Sequence, residues 1–426
     1  MKYHKIELKN GAKLYYVKNI LSHTTKAKIT FDCGARCDTI PGIAHFTEHL
    51  FFTGTKSMSS QEVKKKYFDF IGTNAYTNQM EICFSANVFT KEFEEYVKTV
   101  AMLINETTFS QKAINKELPV IKQEIAMYKD KYDRQANDKN NLNLTGNKTY
   151  LDYSILGTEE SVSKIKSKDV KDFVKKYFVA NNMHIYVTSP LSKRRVKSIV
   201  ENNLVEKLKV NNEFKELSLF LRYANNKKFY DVEFRDIGKC YYCLNFVHNN
   251  NLFDWEFRAK YSLLLSMLND TAEGVMKRLR EEEQLVYGGY FWCNIANDKE
   301  YVTSFSTDIN KANVDKVTLV LADYLKEISK AGFTKQQLDK AKRLFIFDHD
   351  NKEPTAKGRM NKLEDFRFHG KVIMGRIKKL AKKVTVEQCN ELFNEIFINP
   401  TISLSIMGNV SKNELMKEQD FYKLFN

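Results

Sequence analysis

Between Gly42 and Thr55 the chain reads GIAHFTEHLFFTGT, two histidines and a glutamate set among apolar residues. Burying ionisable groups is costly unless they are paired or bound, so His45, Glu48 and His49 mark a site. On a helix, residues three and four apart share a face, which brings all three side chains together. Two imidazoles at i and i+4 can hold one Zn2+, and the carboxylate between them then stands where it can take a proton from water. The order His-x-x-Glu-His inverts the commoner zinc-protease helix. A satisfied core histidine would account for one such residue; two of them with a glutamate fit that explanation poorly.

A catalytic zinc with an open position needs a third protein ligand. The stretch NKELPVIKQEIAMYKD offers Glu117 and Glu124, seven apart and so two turns along one helical stripe. Pro119 between them is awkward in a helix interior and better placed in a first turn.

The elements that must hold these residues occur twice. ICFSANVFTKEFEEYVKTVAMLINE from Ile82 is echoed from Thr303, FSQKAINKELPVIKQEIAMYKD from Phe109 is echoed from Phe333, and IKSKDVKDFVKKYFVANNMHIYV from Ile165 is echoed from Val384, at separations of 219 to 224 positions. Each stretch mixes period-2 strand with amphipathic helix. The repeat predicts an α+β protein of two homologous halves, 1–215 and 228–426, each an antiparallel sheet with helices packed on one face. The polar run from Tyr223 to Lys228 is the expected connector. The second half has no His-x-x-Glu-His, and Ala341 and Asp348 stand where Glu117 and Glu124 do. One metal per chain, in the first half, is therefore expected.

Composition narrows the class. The 426 residues are 43% hydrophobic, and 5 prolines with 16 glycines leave little room for long disordered linkers. The N-terminus MKYHKIELKNGAKLYYV has no apolar h-region, and no uncharged run approaches the ~20 residues a bilayer span needs. Seven scattered cysteines suit reduced thiols in a cytoplasm, and Cys240-x-x-Cys243 lies in strand-like sequence without a second pair. The net charge of +15 raises nucleic-acid or membrane binding. Its strongest runs, Lys64–Lys66 and Lys193–Arg195, lie far apart without interleaved aromatics, so solvated faces are the better reading, with no nucleic acid and no membrane as partners.

Together these motifs resemble the pitrilysin and insulinase family of zinc metallopeptidases, particularly its half-length members related to mitochondrial processing peptidase. The similarity covers nearly the whole chain. CGARCDTIPGIAHFTEHLFFTGT from Cys33 matches the family's metal segment, with Cys37 and Asp38 as modest departures after the Gly-x-Arg. The resemblance implies zinc on His45, His49 and Glu124, Glu48 as general base, and Glu117 orienting a ligand histidine. It implies that Asn74, Ala75, Tyr76 and Thr77, in a Gly-x-x-Asn-Ala-x-Thr segment, bind the substrate backbone. Arg280 and Tyr287, in RLREEEQLVYGGY, would close on a substrate carbonyl from the opposite wall. Their bland reading is a helix-end Arg balanced by Glu281 to Glu283 and a packed strand Tyr.

The implied activity is zinc-dependent endopeptidase cleavage of peptides or unfolded segments inside a clamshell chamber, for turnover or for peptide maturation. The family chamber uses four half-domains, so a homodimer, or a heterodimer with a related chain, is expected. Two other classes compete: a catalytically silent partner subunit, and a basic peptide- or nucleic-acid-binding module. Zinc content separates them.

Overall fold

The strand-period stretches assemble into two sheets in the computed structural model, which describes residues 2–146, 154–215, 224–251, 254–352, 354–369 and 374–425. The first sheet runs β1-β2-β6-β3-β5-β4, from β1 (Tyr3–Glu7), β2 (Lys13–Lys18), β3 (Thr24–Phe31), β4 (Asn74–Thr77), β5 (Ile82–Phe89) and β6 (Met183–Ser189). The second runs β7-β11-β8-β10-β9, from β7 (Tyr230–Phe234), β8 (Cys240–Asn249), β9 (Val286–Ala296), β10 (Glu300–Ile309) and β11 (Thr401–Gly408). With β1 set aside, the two orders match strand for strand, so the sequence repeat is a repeat of topology. The fold is mixed α+β as expected. Each sheet holds one parallel pair, β2 with β6 and β7 with β11, where an antiparallel sheet was expected. Strand pairing across so many intervening residues leaves no local mark in sequence.

Among the described residues, eight helices come from the first half: α1 (Ile43–Leu50), α2 (Ser60–Phe68), α3 (Phe93–Glu106), α4 (Gln111–Lys129), α5 (Tyr132–Thr145), α6 (Glu159–Ser163), α7 (Ser167–Tyr177) and α8 (Lys193–Asn203). The second half gives α9 (Trp255–Leu268), α10 (Val314–Ala331), α11 (Lys335–Lys352), α12 (Ala356–His369), α13 (Met374–Lys383), α14 (Val386–Phe397) and α15 (Glu418–Leu424).

Alternation along the strands sends side chains to two faces, and in the first sheet both are covered. Leu14 and Tyr16 of β2, Ile29 and Phe31 of β3 and Phe84 of β5 join the main core with Ile43, Phe46 and Leu50 of α1 and with residues of α3 and α7. Tyr15, Val17 and Tyr186 point the other way and pack on Met360 and Leu363 of α12. The helix on this second face thus comes from the other half of the chain. The exchange is reciprocal: Leu144 of α5 packs on Val247, Ile295 and Val302 of the second sheet. The compact units are accordingly interleaved in sequence. One comprises Met1–Asp130, Tyr153–Leu219 and Lys352–Ile373; the other comprises Lys131–Asp152, Phe220–Asn351 and Met374–Asn426. They cross the expected boundaries 1–215 and 228–426, because α5 and α12 each complete the sheet of the opposite half. The expected connector begins at Tyr223, outside the described residues; beyond it, Asn226 donates its backbone N–H to the Leu144 carbonyl at 2.9 Å, which ties the stretch to α5.

Each exchanged helix is keyed by buried polar groups. The Arg367 guanidinium on α12 bonds the Asp32 carboxylate and, at 3.2 Å, the Tyr186 hydroxyl, while His184 Nε2 lies 3.5 Å from Asp32. Burial works against charge on Asp32, but His184 and Arg367 hold its carboxyl down, at about 2. On α5, Asn140 and Asn245 trade amide hydrogen bonds at 3.2 and 2.8 Å, and Ser304 Oγ donates to Asn245 at 2.7 Å.

Other sequence features settle into the frame. All seven cysteines are thiols, and Cys240 and Cys243, three apart on β8, face opposite sides of the sheet. Lys66 pairs with Glu95 at 3.0 Å and Arg195 with Glu94 at 2.6 Å. Among the described residues, no helix is long and apolar enough to cross a membrane.

Arg367→Met removes the cation from a buried pair and should cost about 3 kcal/mol or more of unfolding free energy. Asn140→Ala should cost about 1–3 kcal/mol. Urea denaturation of the whole chain checks both, and adding Asp32→Asn to Arg367→Met should recover part of the loss.

Candidate metal centre

The first helix of the site is held at its start. Gly42 adopts φ +93°, and a Cβ there would fall 2.5 Å from the Leu156 carbonyl oxygen, so glycine is required. The Asp38 carboxylate accepts the Gly42 and Ala44 N–H groups at 2.6 and 3.0 Å, satisfying two donors that a helix start leaves open. Burial pushes the Asp38 carboxyl up, to about 7, against those two hydrogen bonds. With Ile43, Phe46 and Leu50 in the core, α1 presents His45, Glu48 and His49 on its remaining stripe. The second helix, α4, is capped by Ser110, which accepts the Ala113 N–H at 3.2 Å. It buries Ile114, Ile121 and Ile125 and runs on through Pro119, which lies well inside rather than in a first turn. Proline leaves the Asn115 carbonyl without its helical donor, a cost that the buried face of α4 offsets.

The ligating atoms of His45, His49 and Glu124 lie within 4.8 Å of one another and could hold a metal ion. His45 Nε2 and His49 Nε2 stand 3.6 and 3.5 Å from the same carboxylate oxygen of Glu124. These separations are too long for hydrogen bonds, yet all three groups converge on one point. That donor set, two imidazoles and one carboxylate, suits zinc.

Glu117 bonds His49 Nδ1 at 3.0 Å, which turns the lone pair of Nε2 toward the shared point. Burial works against charge on His49, but its hydrogen bond with Glu117 and the carboxylates of Glu124 and Glu48 nearby hold its pKa up, at about 9. Burial and then the neighbouring His49 push His45 down, to about 4, so that imidazole is neutral. The Glu48 carboxyl is raised by burial, opposed by His49 and by Thr77, whose hydroxyl donates to Oε2 at 2.9 Å.

Thr77 ends β4, the edge strand of the first sheet, so residues 74–77 run beside the base. A cleft of about 310 Å3 opens next to Glu48 and His49, walled by Phe52, Phe68, Lys64 and the start of β4 at Asn74 and Ala75. Tyr67 donates to the Asn74 carbonyl at 3.0 Å and Tyr76 to Glu81 at 3.1 Å. The first unit therefore gathers His45, Glu48, His49, Thr77, Glu117 and Glu124 around one point, with Asn74 and Ala75 lining the cleft beside it and Tyr76 anchored on the far face of β4.

Arg280 and Tyr287 belong to the second unit and adjoin each other, the guanidinium 5.6 Å from the ring centre. Arg280 lies in a π-helical turn, Lys277–Glu282, and pairs with Glu281 at 3.1 Å. Tyr287 opens β9 and is 90% exposed, which sets aside the packed-Tyr reading. Sequence reasoning missed three contributors. Asp38 as the cap of α1 was signalled by an acidic residue four before a helix-starting glycine, whereas nothing in SQEVKKKYF marks Lys64 or Phe68 as cleft residues.

Comparison with known proteins gives the family and the fold. Residues 14–159 match the family described as insulinase (peptidase family M16), and residues 164–345 match the peptidase M16 inactive domain. The chain belongs to the M16 peptidase family. It is 23% identical over 414 residues to the uncharacterized zinc protease YmxG of Bacillus subtilis, covering 91% of this chain and 94% of that one. A probable mitochondrial-processing peptidase subunit beta of Arabidopsis thaliana is 28% identical over 182 residues, 42% of this chain and 34% of its own length. The crystal structure of a peptidase M16 inactive domain from Pseudomonas fluorescens shares the fold, with a TM-score of 0.82 at 17% identity over 98% of this chain and 99% of that one.

The geometry ranks the two glutamates. Glu117→Gln keeps a hydrogen-bond partner for His49 and should weaken zinc binding by about tenfold. Glu124→Gln should weaken it by more, because a neutral amide is a poor ligand. Competition against a chelator measures both, and the reverse order would make Glu117 the ligand.

Proposed function

We propose that the protein is a zinc-dependent endopeptidase holding one Zn2+ on His45, His49 and Glu124. The observation that carries this reading is the convergence of those three groups beside a buried carboxylate, Glu48, on the same helix. A zinc ion there supplies Lewis-acid chemistry at a peptide carbonyl. Glu48 takes the proton of the attacking water and returns it to the leaving amine. The Thr77 hydroxyl, 2.9 Å from Oε2, fixes its orientation. The substrate backbone adds to the open edge of β4 over residues 74–77, with a neighbouring side chain in the cleft by Phe52 and Phe68. Peptides and unfolded segments, either turned over or matured, fit an edge that reads main chain. Seven thiols suit a reducing, cytoplasmic setting.

Arg280 and Tyr287 carry charge and a hydroxyl on an exposed surface and fit the stabilisation of a substrate carbonyl or developing oxyanion. In this reading two copies of the chain pair with two-fold symmetry, each lending Arg280 and Tyr287 to the zinc site of the other. A related second chain would serve the same purpose in a heterodimer, and the match to a processing-peptidase beta subunit keeps that partner arrangement in view.

Glu48→Gln should cut peptide cleavage by about a hundredfold or more with zinc content nearly unchanged; wild-type turnover in this variant would refute the mechanism. The dimer has its own test. Glu48→Gln and Tyr287→Phe chains, each inactive alone, are mixed and allowed to exchange. Partial recovery of cleavage is expected, since a mixed dimer holds one site with both native groups. No recovery after demonstrated exchange would assign Tyr287 to its own chain's site or remove it from the chemistry.

A further inference from the structure

The edge strand β4 is pinned from both faces. It pairs with β5 alone, from Asn74 opposite Ser85 to Thr77 opposite Ile82, and a four-residue edge held on one side is free to twist and fray. Alternation sends Ala75 and Thr77 toward the main core and α1, while Tyr76 faces the side covered by α12. A strand's rotation about its axis sets both faces at once, so what grips Tyr76 also aims Thr77 at Glu48.

The grip on Tyr76 is a polar layer between sheet and helix. Its hydroxyl donates to Glu81 at 3.1 Å, and the Lys28 ammonium sits 5.9 Å from its ring centre. Lys28 is in turn ion-paired with Glu364 of α12. One turn on, Arg367 is locked to Asp32 and Tyr186. Burial pushes the Glu81 carboxyl up, and the Arg367 charge is the main counterweight.

We propose that Glu364 and Arg367, supplied by the half of the chain without a metal ligand, are positioning residues that set edge strand β4 and, through Thr77, the general base Glu48. This rests on the peptidase reading for its effect on turnover, and on geometry alone for its effect on the strand. The half that carries no metal thereby governs how the metal half presents its substrate edge.

Glu364→Gln is the test, because the Lys28–Glu364 pair is partly exposed and its loss is mild. Glu94→Gln, which breaks an exposed pair elsewhere in the same unit, is the control. Four measurements are made on the full chain: amide hydrogen exchange at residues 74–77 and across the unit, zinc content, the unfolding midpoint, and kcat and KM on a peptide the wild type cleaves. Exchange at residues 74–77 should rise about tenfold and kcat/KM fall about tenfold, with zinc content and unfolding midpoint unchanged. Glu94→Gln should move none of these. Unchanged exchange at 74–77, faster exchange throughout the unit with a lowered midpoint, or faster local exchange with unchanged kcat/KM would each overturn the proposal. If the wild-type chain cleaves no peptide, the peptidase reading fails on that result, while the exchange at 74–77 still decides whether Glu364 sets the strand.

Discussion

Everything about the site depends on one geometric demand: two imidazole nitrogens from one helix and a carboxylate oxygen from another must converge on a single point. An eight-residue helix cannot meet that demand alone. The Asp38 cap, the left-handed Gly42 and the buried row Ile43, Phe46 and Leu50 fix α1 in place and rotation. The buried isoleucines of α4 do the same for Glu117 and Glu124. Glu48 then follows from the helical period, since the residue three after His45 lies on the face that His45 and His49 share.

The site was legible in sequence for that reason. Spacings of three, four and seven are local, and a helix converts them directly into shared faces. What stayed hidden is non-local. Arg367 meets Asp32 across most of the chain, and no spacing encodes that contact. The trace was Tyr15, Val17 and Tyr186, large or apolar side chains on a face that a one-sided sheet would give to water. The parallel pairs β2/β6 and β7/β11 were hidden in the same way. Pro119 misled for a different reason: a proline weakens a helix locally, and burial along the rest of α4 outweighs it.

The two halves keep one topology but differ in the polar residues they place on it. On α11 the residues corresponding to Glu117 and Glu124 are Ala341 and Asp348, and no histidine pair stands opposite them in the second half. That half keeps instead an exposed arginine and tyrosine, presented by a π-helical turn that closes on Gln284 at φ +53°. Such turns are frequent at functional sites, and this one contains Arg280.

The exchange of α5 and α12 bears on the order in which the chain is made. During synthesis the first sheet can form once β6 has emerged, but the helix that covers Tyr15, Val17 and Tyr186 lies at residues 356–369, nearly the whole second half later. Until then an aromatic sheet face meets solvent, the kind of surface on which half-made chains associate. A nascent chain of this design keeps that face exposed until α12 has been made, so its yield in a cell depends on what shields the face before then.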